Sequence, residues 1–444
     1  MFETAIIFAW TVLLVWWAPR WLRGTVLEFD TARGMWWPMW LYEQFLLVLP
    51  APILLATLGV QSFPSTLLVV KNGQTFIISM LVLYAITIFF ATLGFSIRLL
   101  PKRWMIIGGS EQEIDQRKVN RFVNVTMLGG LGVMIAGILF MGFHNALIDV
   151  LVTGKGLNEV RIANKYQTSM PSQVQFVIAV AAWVAAIHAG YTMAWRKRGR
   201  AFVCLAGAIV LAGADGGKAP MVQVLLLAGT GYAVAAQKRL NLKMVLIWGL
   251  FGIPILLLAL YGVVRLQVQG INLEKFIGFL VDRIGMAQMA GTYDGIALGP
   301  LSGHFGWHMV PFANFFEDYV PYAKALMMHV EGYDYDQVGV KNSFFVSEAY
   351  GIGGYWLVIA SPFIVGFCWV ISAVVFYRAM KWMFGRDVAG LYFLPISILY
   401  MNLTGGFSPF PLFKGLLLML SVFCVFWAPW FLLSLLPRKR ERWT

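Results

Sequence analysis

Apolar residues fall in long runs separated by short polar and basic connections. Runs near the roughly 20 residues that a helix needs to cross a bilayer occur at about 4–22, 37–60, 74–97, 122–148, 173–195, 244–263, 353–377, 388–404 and 415–436. A further run at 201–236 is too long for one helix, and a polar stretch containing Gly and Pro interrupts it, which predicts two helices joined by a tight turn. The pattern therefore predicts an all-α, polytopic membrane protein with about eleven transmembrane helices.

The connections divide the chain unevenly. One of them is far longer than an ordinary connection, and such loops are usually functional. It contains helical patterns at Leu273–Met289, which Asn272 opens, and at Phe312–His329. The predicted parts are transmembrane helices 1–8 with an external loop at 149–172 (1–263), the long loop (264–348), and helices 9–11 with a basic tail (349–444).

Composition supports lipid as the main solvent of this chain. It is 59% hydrophobic and 12% charged, whereas soluble domains carry roughly 25% charged residues. The three Cys lie inside apolar runs without a CxxC pattern, so neither a disulfide framework nor a cysteine metal site is expected. The first apolar run lacks a basic start and a cleavage site, and is therefore interpreted as a retained helix.

The net charge of +13 reflects topology. Most of the 34 Lys and Arg residues lie in one alternating set of connections, which the positive-inside rule assigns to the cytoplasm. The N-terminus is then external and the C-terminus cytoplasmic, and both 149–172 and 264–348 are external. Membrane lipids are expected partners, and nucleic acid is not needed to explain the basic excess.

Several external cations suit a phosphate ligand. Lys218 follows Gly216 and Gly217 in the turn within 201–236, where glycine lets the backbone approach a ligand. Arg161 and Lys165 share one helical face by their spacing of four. Each pattern also fits a simpler interpretation, in which Lys218 pairs with Asp215 or reaches the lipid headgroups and the other two form a solvated surface.

The long loop supplies further candidates. Its cations include Arg265 and Arg283, and candidate bases are Asp294, His304, His308, Glu317 and Glu348. His304 and His308 have a metal-pair spacing, but glycines interrupt the run and no HExxH motif is present, so no metal is expected. An acidic and aromatic run at 331–336 suits a carbohydrate surface or a plain solvated loop.

Three polar residues occur in or beside apolar runs. His144 and His188 are most simply interpreted as hydrogen-bond partners between helices. Glu43, predicted near the cytoplasmic side, is expected to be buried and paired. One carboxylate alone is a thin basis for proton coupling.

Two segments resemble the Wzy-type polymerases of bacterial O-antigens and related polysaccharides. Those proteins have a small-residue turn with a basic residue before an apolar helix; here it is Gly213–Pro220, with Lys218 in place of the usual arginine and without the usual serines. They also often place Ser and Glu in an aromatic, Gly-rich run entering a helix, as in Asn342–Trp356 here. Chain length and loop placement are similar too.

The resemblance implies a GT-C-like fold and a bacterial inner-membrane glycosyltransferase whose active face is periplasmic. Its substrate would be an oligosaccharide repeat unit on undecaprenyl pyrophosphate, and a chain-length regulator protein would be a partner. Under that interpretation the pyrophosphate would be bound by external cations and the acceptor hydroxyl activated by His308 or Glu348, without a cofactor. The assigned cations are Arg161, Lys165, Lys218, Arg265 and Arg283.

Other functions remain open from the sequence. An O-antigen ligase-like enzyme would use the same donor with a different acceptor. A lipid-linked sugar flippase or secondary transporter would need charges at mid-membrane depth and internal repeats, and the chain shows no repeat. In a structural or signalling membrane component, the long loop would only bind a partner.

Overall fold

The computed structural model describes most of the chain. The described residues are 2–25, 27, 41–100, 115–154, 170–215, 218–235, 250, 254, 257–258, 261, 265, 272–299, 322–332 and 341–435. In chain order the α-helices are α1 (Phe2–Trp21), α2 (Pro50–Leu58), α3 (Asn72–Leu99), α4 (Gln116–Phe140), α5 (Ala146–Thr153), α6 (Ser172–Ala194), α7 (Arg198–Ala212), α8 (Lys218–Ala235), α9 (Leu273–Leu280), α10 (Ala290–Leu298), α11 (Tyr322–Glu331), α12 (Phe345–Phe384), α13 (Arg386–Tyr400) and α14 (Lys414–Leu435).

The chain is an all-α, multi-pass membrane protein. Within the described residues, six helices are long and apolar enough to cross a membrane: α1, α3, α4, α6, α12 and α14. Each coincides with a predicted apolar run. α7 and α13 are shorter, at 15 residues each, and most of the run at 244–263 lies outside the described residues. The total of eleven crossings therefore stays a prediction.

The second apolar run does not form one continuous helix. Residues Leu41–Val48 are π-helical, and α2 follows as a separate nine-residue helix with Pro50 at its start. Proline removes a backbone donor and clashes with the preceding turn, so it begins helices more readily than it continues them. This segment packs against the π-helical turn Val281–Met286 that extends α9, where Leu54 and Pro50 lie beside Gly285.

The predicted division of 201–236 is confirmed. α7 ends at Ala212, a 3₁₀ turn spans Gly213–Asp215, and α8 begins at Lys218. The predicted helix opened by Asn272 is also present: the Asn272 side chain accepts a hydrogen bond from the Lys275 backbone N–H at 2.8 Å. It continues through α9 into the π-helical turn.

His188 forms hydrogen bonds between helices, as predicted. It is fully buried on α6, with Nδ1 at 2.9 Å from the Tyr392 hydroxyl of α13 and Nε2 at 3.0 Å from Asn120 Oδ1 of α4. The Arg200 Nε group of α7 donates to the same imidazole at 3.2 Å. A single side chain thus joins four helices.

α6 and α8 approach closely through glycine. A Cβ atom built on Gly190 would lie 2.0 Å from the Ala228 carbonyl oxygen, and one on Gly231 would lie 2.2 Å from the Ile187 carbonyl oxygen. Small residues allow such backbone contact between membrane helices, where packing rather than the hydrophobic effect drives association. This pair therefore fixes the spacing of α6 and α8.

We expect Gly190→Ala to lower the free energy of unfolding by about 1–3 kcal/mol, because the obstructing atoms belong to the backbone and cannot rotate away. Gly229→Ala on α8 is the matched control, since a Cβ there meets no atom within 4 Å. Titration of the detergent-solubilised protein with SDS, followed by circular dichroism, measures both variants. Equal midpoints for the two would contradict this account of the contact.

Candidate functional site

Buried polar side chains gather where α10, α11 and the start of α12 meet the connection at 401–413. We call this group the polar cluster. Its members are Thr292, Asp294, Tyr322, Lys341, Ser343, Ser347, Glu348 and Ser408. All have less than a tenth of their surface exposed, so their polar groups need partners within the protein.

Asp294 is bound at every acceptor position of its carboxylate. The backbone N–H groups of Leu68, Val69 and Val70 donate to it at 3.1, 2.9 and 3.0 Å. The Lys341 ammonium donates at 2.5 Å, and this pair is buried. A carboxylate has about four lone-pair positions, so Asp294 has none left for a substrate proton. Its position supports a structural role, holding the 68–70 connection against α10, rather than the role of a base.

A hydroxyl chain links α11, α12 and α10. The Ser347 hydroxyl donates to the Gly291 carbonyl oxygen at 2.9 Å, which uses its only hydrogen. The Tyr322 hydroxyl, 2.6 Å from Ser347 Oγ, must then be the donor of that bond. Burial raises the pKa of Tyr322 well above its ordinary value, in keeping with this donor role. Tyr322 is therefore held as a neutral phenol.

Glu348 lies in the first turn of α12 and anchors the 401–413 connection. Its Oε2 atom accepts from the backbone N–H groups of Phe407 and Ser408, the latter at 3.2 Å, and its Oε1 atom accepts from the Ser408 hydroxyl. Gly406, with φ of +94°, lies so close that a Cβ atom would overlap Oε2. One lone-pair position on Oε1 is left for a further donor.

Glu43 binds the same connection from the other end. Its carboxylate is buried and accepts a hydrogen bond from the Leu403 backbone N–H. The expected burial is confirmed. Glu43 contacts the same connection as the polar cluster, and the charge pattern predicts that connection to be external, so the predicted position of Glu43 near the cytoplasmic side disagrees with the predicted topology. Two carboxylates that are distant in sequence therefore fix one connection.

The turn at Lys218 packs against the beginning of the loop at 149–172. A Cβ atom on Gly213 would lie 2.7 Å from Leu147 Cβ of α5. Asn145 accepts a hydrogen bond from the Ile148 backbone N–H at the start of α5 and donates to the Val210 carbonyl oxygen of α7 at 3.0 Å. α5 and the turn are thus held together. Lys218 is the first residue of α8, and its side chain lies outside the described part.

The other predicted site residues divide into two groups. Arg265 and Arg283 are exposed, and the Arg283 guanidinium lies 5.8 Å from the centre of the Phe279 ring. Arg161, Lys165 and His308 lie outside the described residues, as does His304. The structure therefore brings Glu348 into the polar cluster and leaves the convergence of the cations a prediction. Within the described residues no group of three or more His, Cys, Asp or Glu side chains could hold a metal ion.

Sequence reasoning did not identify Ser408, Tyr322 or the 401–413 connection as parts of the cluster. Gly405 and Gly406, followed by Pro409 and Pro411, mark a connection in the sequence. Nothing in that pattern links it to Glu43 or Glu348, because the partners are up to 360 residues apart. Comparison with protein-family models, with curated protein sequences and with solved structures gave no match to this chain.

Proposed function

We propose that the protein polymerises oligosaccharide repeat units carried on undecaprenyl pyrophosphate, at the outer face of the bacterial inner membrane. The bond between the sugar anomeric carbon and the pyrophosphate breaks, and a bond forms to a hydroxyl oxygen of the incoming unit. The hydroxyl proton passes to a base, and undecaprenyl pyrophosphate leaves. The enzyme is proposed to have a GT-C-like fold.

The packing of α5 on the Lys218 turn carries the proposal. This packing brings α5, which precedes Arg161 and Lys165 in the chain, beside the turn that opens α8. Arg161, Lys165 and Lys218 are therefore proposed to bind one anion together. The amino end of α8 adds backbone N–H groups that favour negative charge. Cations arranged in advance are the largest available help for a leaving pyrophosphate, whose charge grows as the bond breaks.

The polar cluster supplies the second half of the proposed site. α13 has 15 residues and is therefore about 22 Å long, less than the roughly 30 Å of the hydrocarbon core. With its charged first turn placed at the cytoplasmic boundary, as the charge pattern predicts, α13 would end within the outer half of the bilayer, where the 401–413 connection would begin. This depth suits a substrate whose lipid stays in the membrane while its sugars extend outward.

We expect Arg161→Ala and Arg283→Ala each to reduce long-chain polysaccharide about tenfold or more, because each removes a charge-assisted contact to the pyrophosphate. Single-repeat product should persist. Lys275→Ala is the matched control, an exposed cation on α9 eight residues before Arg283. Electrophoretic chain-length ladders from cells expressing equal amounts of each variant provide the measurement. Unchanged ladders in both arginine variants would overturn the proposed function.

A further inference from the structure

A basic cleft lies at the opposite end of the helices from the polar cluster. It has a volume of about 670 Å³ and is lined by Met193, Arg196, Arg198 and Tyr232. Met193 belongs to the last turn of α6, and Tyr232 lies near the end of α8. Arg196 lies in the turn between α6 and α7, and Arg198 is the first residue of α7. The charge pattern predicts that this end faces the cytoplasm.

Neighbouring cations in this turn have different environments. Arg196 and Arg198 are exposed and line the cleft. Lys197, between them, donates from Nζ to Gln116 Oε1 of α4 at 2.6 Å. Arg196 has a φ of +60°, the left-handed conformation that ends a helix. Both arginines are therefore exposed at the cleft, whereas the ammonium between them is bound to Gln116.

Apolar surface lies next to these arginines. Met193, Phe202 and Val203 have 53%, 73% and 56% of their surface exposed. Phe202 follows Arg198 by four residues, so both lie on the same side of α7. Exposed phenylalanine on a helix of a membrane protein faces acyl chains, whereas guanidinium groups at the helix end meet the headgroup layer. The arginines are thus positioned to meet the phosphate of a phospholipid, and the neighbouring apolar side chains are positioned to meet its acyl chains.

We propose that this cleft binds an anionic phospholipid, with the phosphate between Arg196 and Arg198 and an acyl chain along Met193 and Phe202. Arginine suits this role because its planar guanidinium can donate two hydrogen bonds to a phosphate. A soluble phosphate would use the arginines alone and gain nothing from the adjoining apolar side chains. The occupant is therefore a lipid. This site is separate from the proposed glycosyl transfer.

Binding of fluorescent phosphatidylglycerol to the full-length protein in neutral detergent micelles, followed by anisotropy, tests the proposal. We expect Arg196→Gly and Arg198→Ala each to weaken binding about tenfold. Glycine adopts the left-handed backbone of residue 196 without strain, so this variant removes the guanidinium and keeps the turn. Lys197→Ala is the matched control and should change binding less than about twofold, because its ammonium is engaged by Gln116.

Three results would overturn the proposal. Equal losses in all three variants would show general surface attraction rather than a site. Equal binding of fluorescent phosphatidylcholine would show that the negative headgroup is not recognised. Displacement of the lipid by inorganic phosphate at similar concentrations would identify a soluble anion as the occupant. Unchanged circular dichroism and gel-filtration profiles establish that each variant is folded.

Discussion

Replacing Asp294 with alanine should destabilise the protein by about 3–5 kcal/mol, a large part of the roughly 5–15 kcal/mol that folded domains have available. The substitution leaves the Lys341 ammonium buried without its counter-charge. It also removes the acceptor of the Leu68, Val69 and Val70 N–H groups. Steady-state amounts in membranes and SDS-unfolding midpoints should both fall.

Two controls separate the buried pair from charge in general. Lys118→Ala breaks an exposed ion pair with Asp115, whose atoms are 3.6 Å apart, and should change stability by less than about 1 kcal/mol. Asp294→Ala combined with Lys341→Met removes the unpaired charge and should recover part of the loss, although the three N–H groups stay unsatisfied. Normal stability of Asp294→Ala alone would show that this carboxylate does not anchor the 68–70 connection.

The membrane helices could be predicted because their cause is local. A run of about 20 apolar residues crosses a bilayer whatever its partners are, and the six described spanning helices follow such runs. The turn before Lys218 and the cap at Asn272 were predicted for the same reason, since glycine and asparagine act on their immediate neighbours. The break in the second run lies directly before Pro50, which begins α2. A single proline changes a hydropathy pattern little, so hydropathy alone did not predict this break.

The first turns of α12 form a short helix that hydropathy did not predict. The predicted run begins at residue 353, and Gly354, with a φ of +63° and a ψ of −157°, breaks α12 at that point, so a short helix that starts at Phe345 precedes the predicted one. Ser347 and Glu348 lower the apolar character of this turn, but their polar groups are satisfied by Gly291, Phe407 and Ser408 rather than by water. A polar group that is hydrogen-bonded inside the protein can be buried at little cost. The sequence shows the polar residue and not its partner.

The polar cluster could not be assembled from sequence for a related reason. Periodicity constrains which face of a helix is buried, but it does not say which distant segment covers that face. The contacts of Asp294 with 68–70 and of Glu43 with Leu403 join segments more than 200 residues apart. The sequence offered both Asp294 and Glu348 as candidate bases and favoured Glu348, but it could not show how their environments differ. The structure separates them, since only Glu348 has an acceptor position left.

Under the proposed function, with Glu348 as the general base, Glu348→Gln is expected to accumulate normally and to lose about 10²-fold or more of polymer formation. The glutamine amide can keep the anchor. Its oxygen accepts from the Phe407 and Ser408 N–H groups, and its nitrogen donates to the Ser408 hydroxyl, which also accepts hydrogen bonds. Only the negative charge and basicity are lost.

Glu348→Ala provides the comparison, because it removes both the anchor and the base and should reduce protein amount as well as activity. Chain-length ladders normalised to membrane protein, together with SDS-unfolding midpoints, distinguish the two variants. A stable Glu348→Gln protein with a full ladder would limit Glu348 to holding the 401–413 connection and leave His308 as the remaining favoured base. A stable protein without a ladder would support the Glu348 carboxylate as the base.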